Sequence, residues 1–222
     1  MIDIADWMPA AVRTLEGAFG VRLRFVGLQG SYRRGEATEA SDIDICVILD
    51  RLEPEDLPTL RAALDTLPEG AKAAGFVCGV AQLRAWPKFE LFAFAQDMDA
   101  WHGELAPLLP EITDADIRLG CRAALAALYH ESAQTLLLAP AWPADAVRDA
   151  MHSLSKSYLR ALQGGIFLRT GTFPRDRASA MRRARAEEAD LLRAAEDAGR
   201  PLAAIAAACL RWSAAGLAEL PD

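Results

Sequence analysis

The most constraining stretch of the 222-residue chain runs from residue 28 to residue 45. It reads Leu28-Gln29-Gly30-Ser31-Tyr32-Arg33-Arg34-Gly35, then a polar segment, then Ser41-Asp42-Ile43-Asp44-Ile45. Residues 21–28 begin in alternation and read as a strand that runs into the Gly-Ser turn. Residues 42–49 are rich in β-branched side chains and read as a second strand. A strand repeats its side-chain direction every two residues, so Asp42 and Asp44 share one face while Ile43 and Ile45 turn to a core. Their Cα atoms are then about 6–7 Å apart at ~3.3 Å rise per residue. Two carboxylates that close repel each other unless a cation lies between them. Hard oxygen donors of this kind suit Mg2+. Gly30 lets the backbone approach a ligand closely. Ser31 then opens a short helix, where free N–H groups and a hydroxyl suit a phosphate. Arg33 and Arg34 lie on the same turn and can add charge-assisted contacts. Asp-x-Asp or Gly-Ser alone is a weak signal; their joint order and spacing are specific.

The rest of the chain reads as two halves. Residues 5–19 form an amphipathic helix by period, and Pro54 opens another through about residue 67. Residues 76–82 and 88–95 read as two further strands. In the second, Phe89, Leu91 and Ala93 face one side, and Glu90, Phe92 and Phe94 the other. After about residue 104 the texture becomes rich in Ala, Leu and Arg. Helices are expected over 114–138, 143–169, 176–197 and 200–217, punctuated by Pro and Gly. The expected class is α+β: a mixed-sheet domain over residues 1–106, then a helical bundle of four or five helices over residues 107–222.

The Gly-Ser and Asp-x-Asp pattern resembles the polymerase-β-like nucleotidyltransferase superfamily, in particular its bacterial small-molecule, aminoglycoside-type members. The resemblance implies that Gly30, Ser31, Asp42 and Asp44 bind a nucleoside triphosphate and two Mg2+ ions. It also implies a third carboxylate on a later strand, for which Glu90 is the first choice, with Asp97 and Asp99 as rivals. That group would ligate a metal or take the proton of the acceptor hydroxyl. The small bacterial members often read Gly-Ser-x-Ala-Arg-Gly followed by Ser-Asp-Ile-Asp; here Tyr32 and Arg33 stand at the varied residue and the Ala. Tyr129-His130-Glu131 and the stretch 167–175 are similar to the helical second half of such proteins. Lys156 there is a candidate to reach the triphosphate, beside the bland reading of a solvated helix Lys. His130, on an apolar helix face, reads as a core or interdomain residue. The implied activity is Mg2+-dependent transfer of a nucleoside monophosphate, AMP from ATP, to a hydroxyl of a small molecule such as an aminoglycoside, with release of pyrophosphate. Two alternatives stand beside it: an antitoxin-like nucleotidyltransferase that modifies or silences a partner protein, and a non-catalytic nucleotide-binding regulator.

Charge narrows the partners. The chain carries 24 basic and 31 acidic residues, for a net charge of −7. Residues 1–110 hold 17 acidic against 10 basic groups, and the remainder is balanced. An acidic half steers cations toward itself and does not favour nucleic acid. Residues 175–185 carry five Arg and one Asp. Such a run is either a solvated helix face or a surface for an anionic partner. The four Cys form no Cys-x-x-Cys pair, which argues against structural zinc. No run reaches 18 apolar residues, and the acidic N-terminus lacks the basic region of a signal peptide, so a cytoplasmic protein without a membrane segment is expected.

Overall fold

A computed structural model describes residues 2–197 and 199–220. The chain divides into two compact units, Met1–Ile112 and Thr113–Asp222.

The first unit is built on four strands: β1 (Leu23–Leu28), β2 (Ile43–Leu49), β3 (Ala73–Gly79) and β4 (Asp99–His102). Their order is β3-β2-β1-β4. β1 runs antiparallel to both β2 and β4, whereas β2 and β3 are parallel. The sheet is therefore mixed, with the strand after the Gly-Ser turn at its centre. The pleat divides the side chains between two cores. Val26, Leu28, Ile43 and Ile45 join Trp7, Met8 and Leu15 of helix α1 (Ile4–Phe19) in one cluster. Phe25, Cys46, Ile48, Cys78 and Met98 form the other. A register shift between Leu23 and Phe25 allows these two residues to face opposite cores. Helix α3 (Asp56–Asp65) adds Leu60 and Leu64 to the α1 side. α1 forms where the sequence puts Trp7, Met8, Ala11, Leu15 and Phe19 on one buried stripe, and the Asp3 side chain caps it by accepting from the Ala5 N–H at 2.9 Å.

Residues 88–95 are not a strand. Val80–Ala85 and Lys88–Gln96 are two short helices, α4 and α5, in place of the second half of one expected strand and all of the next. Pro87 stands at the N-cap of α5, and Lys, Glu, Leu, Ala and Gln are good helix formers. A nine-residue apolar run with alternating Phe satisfies both periods, so local pattern cannot separate them. Phe94 and Trp86 bracket Phe76 of β3, with ring centroids 4.7 and 5.2 Å from it. The fourth strand is the four-residue β4, which begins at Asp99, after the segment 88–95 expected to be a strand.

The second unit is helical: α6 (Asp114–Leu138), α7 (Ala144–Thr170), α8 (Arg177–Arg183), α9 (Ala186–Ala194) and α10 (Leu202–Glu219). Thr113 and Asp116 cap α6 reciprocally, and Gly171 ends α7 in the left-handed region. The expected helix 176–197 is two helices, because Ala184 turns extended and Arg185 and Glu188 start a new capping box. Leu128, Leu154, Tyr158, Leu162, Ile166, Leu192 and Cys209 form the core. The Tyr158 hydroxyl donates to the carbonyl of Glu188 at 3.0 Å. His130 is exposed on α6, not buried as its apolar neighbours suggested. By length and composition α10 could cross a membrane, but its Ile205, Ala206 and Cys209 are buried in this core.

Candidate active site

The sheet brings the two halves of the Gly-Ser and Asp-x-Asp pattern into contact. Helix α2 (Gly30–Arg34) follows β1 directly, and β1 is hydrogen-bonded to β2 with Leu28 opposite Ile45. The Gln29 N–H donates to the carbonyl of Asp44 at 2.9 Å, which fastens the end of β1 to the start of β2. Its side-chain amide donates to the carbonyl of Phe94 at 3.3 Å, which ties the same point to α5.

Gly30 is required by this geometry. Its φ is +70°, and a Cβ there would lie 1.8 Å from Oδ2 of Asp44. Any larger residue would meet both backbone strain and the carboxylate. The turn closes at Gly35, again with φ of +70°, and the Glu36 N–H donates to the carbonyl of Ser31 at 2.9 Å. Ser31 is half-buried beside it.

Asp42 and Asp44 flank Ile43 as the period of two predicts. Ile43 and Ile45 are buried, Asp44 is half-buried and Asp42 is exposed just before β2 begins. A small turn fixes the approach to Asp42: the Thr38 N–H donates to the Ser41 hydroxyl at 2.9 Å, and the Ser41 N–H returns to the Thr38 carbonyl at 3.0 Å. On β3 the residue opposite Asp44 is Ala74.

Glu90 sits on the first turn of α5, exposed, and accepts a hydrogen bond from the Trp86 indole at 2.7 Å. The strand geometry that would have pointed it at the Asp pair is absent. Among the described residues no three His, Cys, Asp or Glu side chains gather as a metal site. The donors that suit a hard cation are the two carboxylates of Asp42 and Asp44, the second packed against Gly30.

Arg33 and Arg34 are committed to carboxylates of their own unit. The Arg33 side chain is only 5 % exposed and pairs with Asp97 at 2.9 Å and Asp99 at 3.4 Å. Arg34 pairs with Glu36 at 2.9 Å and with Asp97 at 3.1 Å. Burial works against the Arg34 charge, but its bonds to Glu36 and Asp97 outweigh that and hold the guanidinium above its ordinary pKa. Asp99 lies on β4 opposite Leu28, the residue two before Gly30. The two Arg therefore brace α2 against the β4 end of the sheet. The sequence carries one signal for this brace, the coincidence of an Arg pair with Asp97-x-Asp99, but nothing local indicates that they meet. Lys156 lies exposed on α7 of the second unit. Arg177, from the Arg-rich run, donates to the Ser155 hydroxyl at 3.1 Å and pairs with Glu196 at 2.9 Å.

Residues 13–108 match the nucleotidyltransferase domain family. A solved structure of the spectinomycin adenyltransferase AAD(9) from Enterococcus faecialis, with ATP and spectinomycin, superposes with a TM-score of 0.57 at 12 % identity. The match covers 95 % of this chain and 99 % of that one, and it establishes a shared fold. A search of curated proteins gives no match.

Proposed function

From the premise that residues 13–108 are a nucleotidyltransferase domain, we propose that the protein transfers AMP from ATP to a hydroxyl of a small, positively charged molecule. In the reaction the acceptor oxygen bonds to the α-phosphorus, the bond from that phosphorus to the bridging oxygen breaks and pyrophosphate departs with that oxygen, and the hydroxyl proton passes to solvent water. The observation that carries the reading is the contact between Gly30 and Asp44, which joins the Gly-Ser turn to the carboxylate pair.

Each part of the site has a task in this reading. Gly30, lacking a Cβ, lets the Asp44 carboxylate lie directly against the Gly-Ser turn, so a triphosphate held by the turn meets that carboxylate. Ser31 offers its hydroxyl and backbone N–H to the phosphates. Asp42 and Asp44 would hold Mg2+, which when bound offsets the charge of the triphosphate and makes the acceptor hydroxyl more acidic. Their like charges, two residues apart, are what a divalent cation would relieve. Arg33 and Arg34 act through the fold: they hold α2 against Asp97 and Asp99, so the turn keeps its place next to Asp44. Positioning and charge stabilisation supply most of the rate in such a site.

The cationic acceptor follows from charge. The first 110 residues carry seven more acidic than basic groups, which draws amines toward the unit. The fold it shares with an adenyltransferase solved with ATP and spectinomycin supports the same nucleotide and acceptor class. The test is pyrophosphate release from each of the four NTPs with Mg2+, against a panel of aminoglycosides and aminocyclitols including spectinomycin. Release with ATP and one such acceptor is expected. Release only with a cell lysate would replace the small molecule by a macromolecular acceptor.

A further inference from the structure

The first unit contains a cavity of about 750 Å³ that the reaction does not use. It lies under the N-terminal half of α1 and against the segments around residues 39 and 68–72. Tyr32 and Trp7, which line it, belong to the core that includes Ile43 and Ile45. Asp44 points to the opposite face of β2, because side chains alternate along a strand. The cavity and the carboxylate pair therefore lie on opposite sides of the sheet, joined through α2, where Ser31 and Tyr32 are neighbours.

Three observations describe what the cavity would hold. First, its charged wall is acidic: Asp3, Asp6, Glu39 and Glu69 against one Lys72. Lys72 is held by Glu69 at 2.7 Å and donates to the carbonyl of Glu39 at 2.9 Å. The Asp6 and Glu39 carboxylates make no ion pair with any described residue. Second, Tyr32 is only 8 % exposed and lines the cavity, yet its hydroxyl makes no hydrogen bond with any described residue. The ring is buried while the hydroxyl, not shut off from solvent, is open to a donor in the cavity. Third, the Trp7 indole is fixed by its N–H bond to the carbonyl of Pro68 at 2.8 Å, so an aromatic surface is held in the wall. Indole is the best ring for a cation–π contact. The volume falls within the range of small-molecule sites, about 300–1,000 Å³, and is far larger than a bare metal ion needs.

We propose that this cavity is a second binding site, separate from the transfer site, for an aliphatic di- or polyamine. Its methylene body lies on Trp7 and the apolar wall, one ammonium donates to the Tyr32 hydroxyl oxygen, and others face Asp6 and Glu39. Because Tyr32 follows Ser31 on α2, an amine in this cavity bears on the element that carries the Gly-Ser turn. The proposal does not depend on the transfer reaction.

The test is calorimetric titration of spermidine into the full chain at low ionic strength, without nucleotide. One-site saturable binding is expected. It should weaken about tenfold in the double variant Asp6→Asn/Glu39→Gln, the effect of losing ~1.4 kcal/mol, and weaken measurably in Tyr32→Phe. As a second measurement, amide and indole NMR shifts of the unaltered protein should move first at Trp7 and Tyr32. No saturable binding, equal affinity in the carboxamide variant with native circular dichroism, or shifts confined to residues away from this cavity would each overturn the proposal. Unchanged binding in Asp44→Asn is expected, and it separates this site from any failure of the transfer reading.

Discussion

A Cβ on Gly30 would sit 1.8 Å from Oδ2 of Asp44. The relation connects the end of one strand to the carboxylate of the next, and it makes a glycine the only residue compatible with both. Gly30→Ala must either push the Asp44 carboxylate aside or bend the turn, and at φ of +70° it also adds backbone strain of about 1 kcal/mol. We expect Gly30→Ala to melt within several degrees of the parent protein and to lose nearly all transfer activity. Thermal denaturation and pyrophosphate release, measured on the same preparation, check this.

Arg33 braces α2 by its pairs with Asp97 and Asp99. Removing the buried guanidinium takes one partner from Asp97, which keeps Arg34, and one from Asp99. Arg33→Met should cost about 1–3 kcal/mol of stability. A double-mutant cycle with Asp97→Asn should show coupling, since the two touch. Additive effects in denaturant melts would remove the brace.

Glu90 gives a sharp contrast. It is exposed on α5 and its carboxylate accepts from Trp86. Glu90→Gln should therefore change the transfer rate by no more than a few-fold, about 1 kcal/mol or less. A loss comparable to that of Asp44→Asn in the same assay would return Glu90 to the reacting centre.

Stability at low pH should report on Asp56. Its carboxylate takes side-chain hydrogen bonds from Arg22 at 2.9 and 2.7 Å and a backbone bond from the Glu53 N–H at 2.8 Å, and these hold its pKa down to about 2. A carboxylate whose pKa is lower in the folded state binds its proton more readily in the unfolded chain. Its contribution is thus complete above about pH 4–5, the range of an unfolded Asp, and is lost as pH falls toward 2. Arg22→Gln should lower the melting temperature at pH 7 and shrink the difference between pH 5 and pH 2.5. An identical pH dependence in both proteins would contradict the assignment.

The carboxylate strand was legible because burial on one face and solvent on the other impose a period of two, and Ile43 and Ile45 are indeed in the core. Helix α6 was legible to the residue, since Thr113 and Asp116 mark its start and Pro140 follows its end. Residues 88–96 were not: Phe alternation in a nine-residue run fits a strand, and only packing around Phe76 decides for the helix. β4 was missed because Asp-Ala-Trp-His is short and half polar, and its pairing with β1 is a tertiary fact. For the same reason the carboxylate partners of the Arg pair were not legible. Those partners, at 97 and 99, are more than 60 residues away, beyond the reach of any local pattern.

The central claim is that Asp44, set against Gly30, serves nucleotidyl transfer. The most direct measurement compares pyrophosphate release from ATP and Mg2+ with an aminoglycoside and aminocyclitol panel, in the unaltered protein and in Asp44→Asn. The account predicts release with at least one acceptor and its loss by about 100-fold or more in Asp44→Asn, whose circular dichroism and melting remain native. Equal release by the two proteins would contradict it.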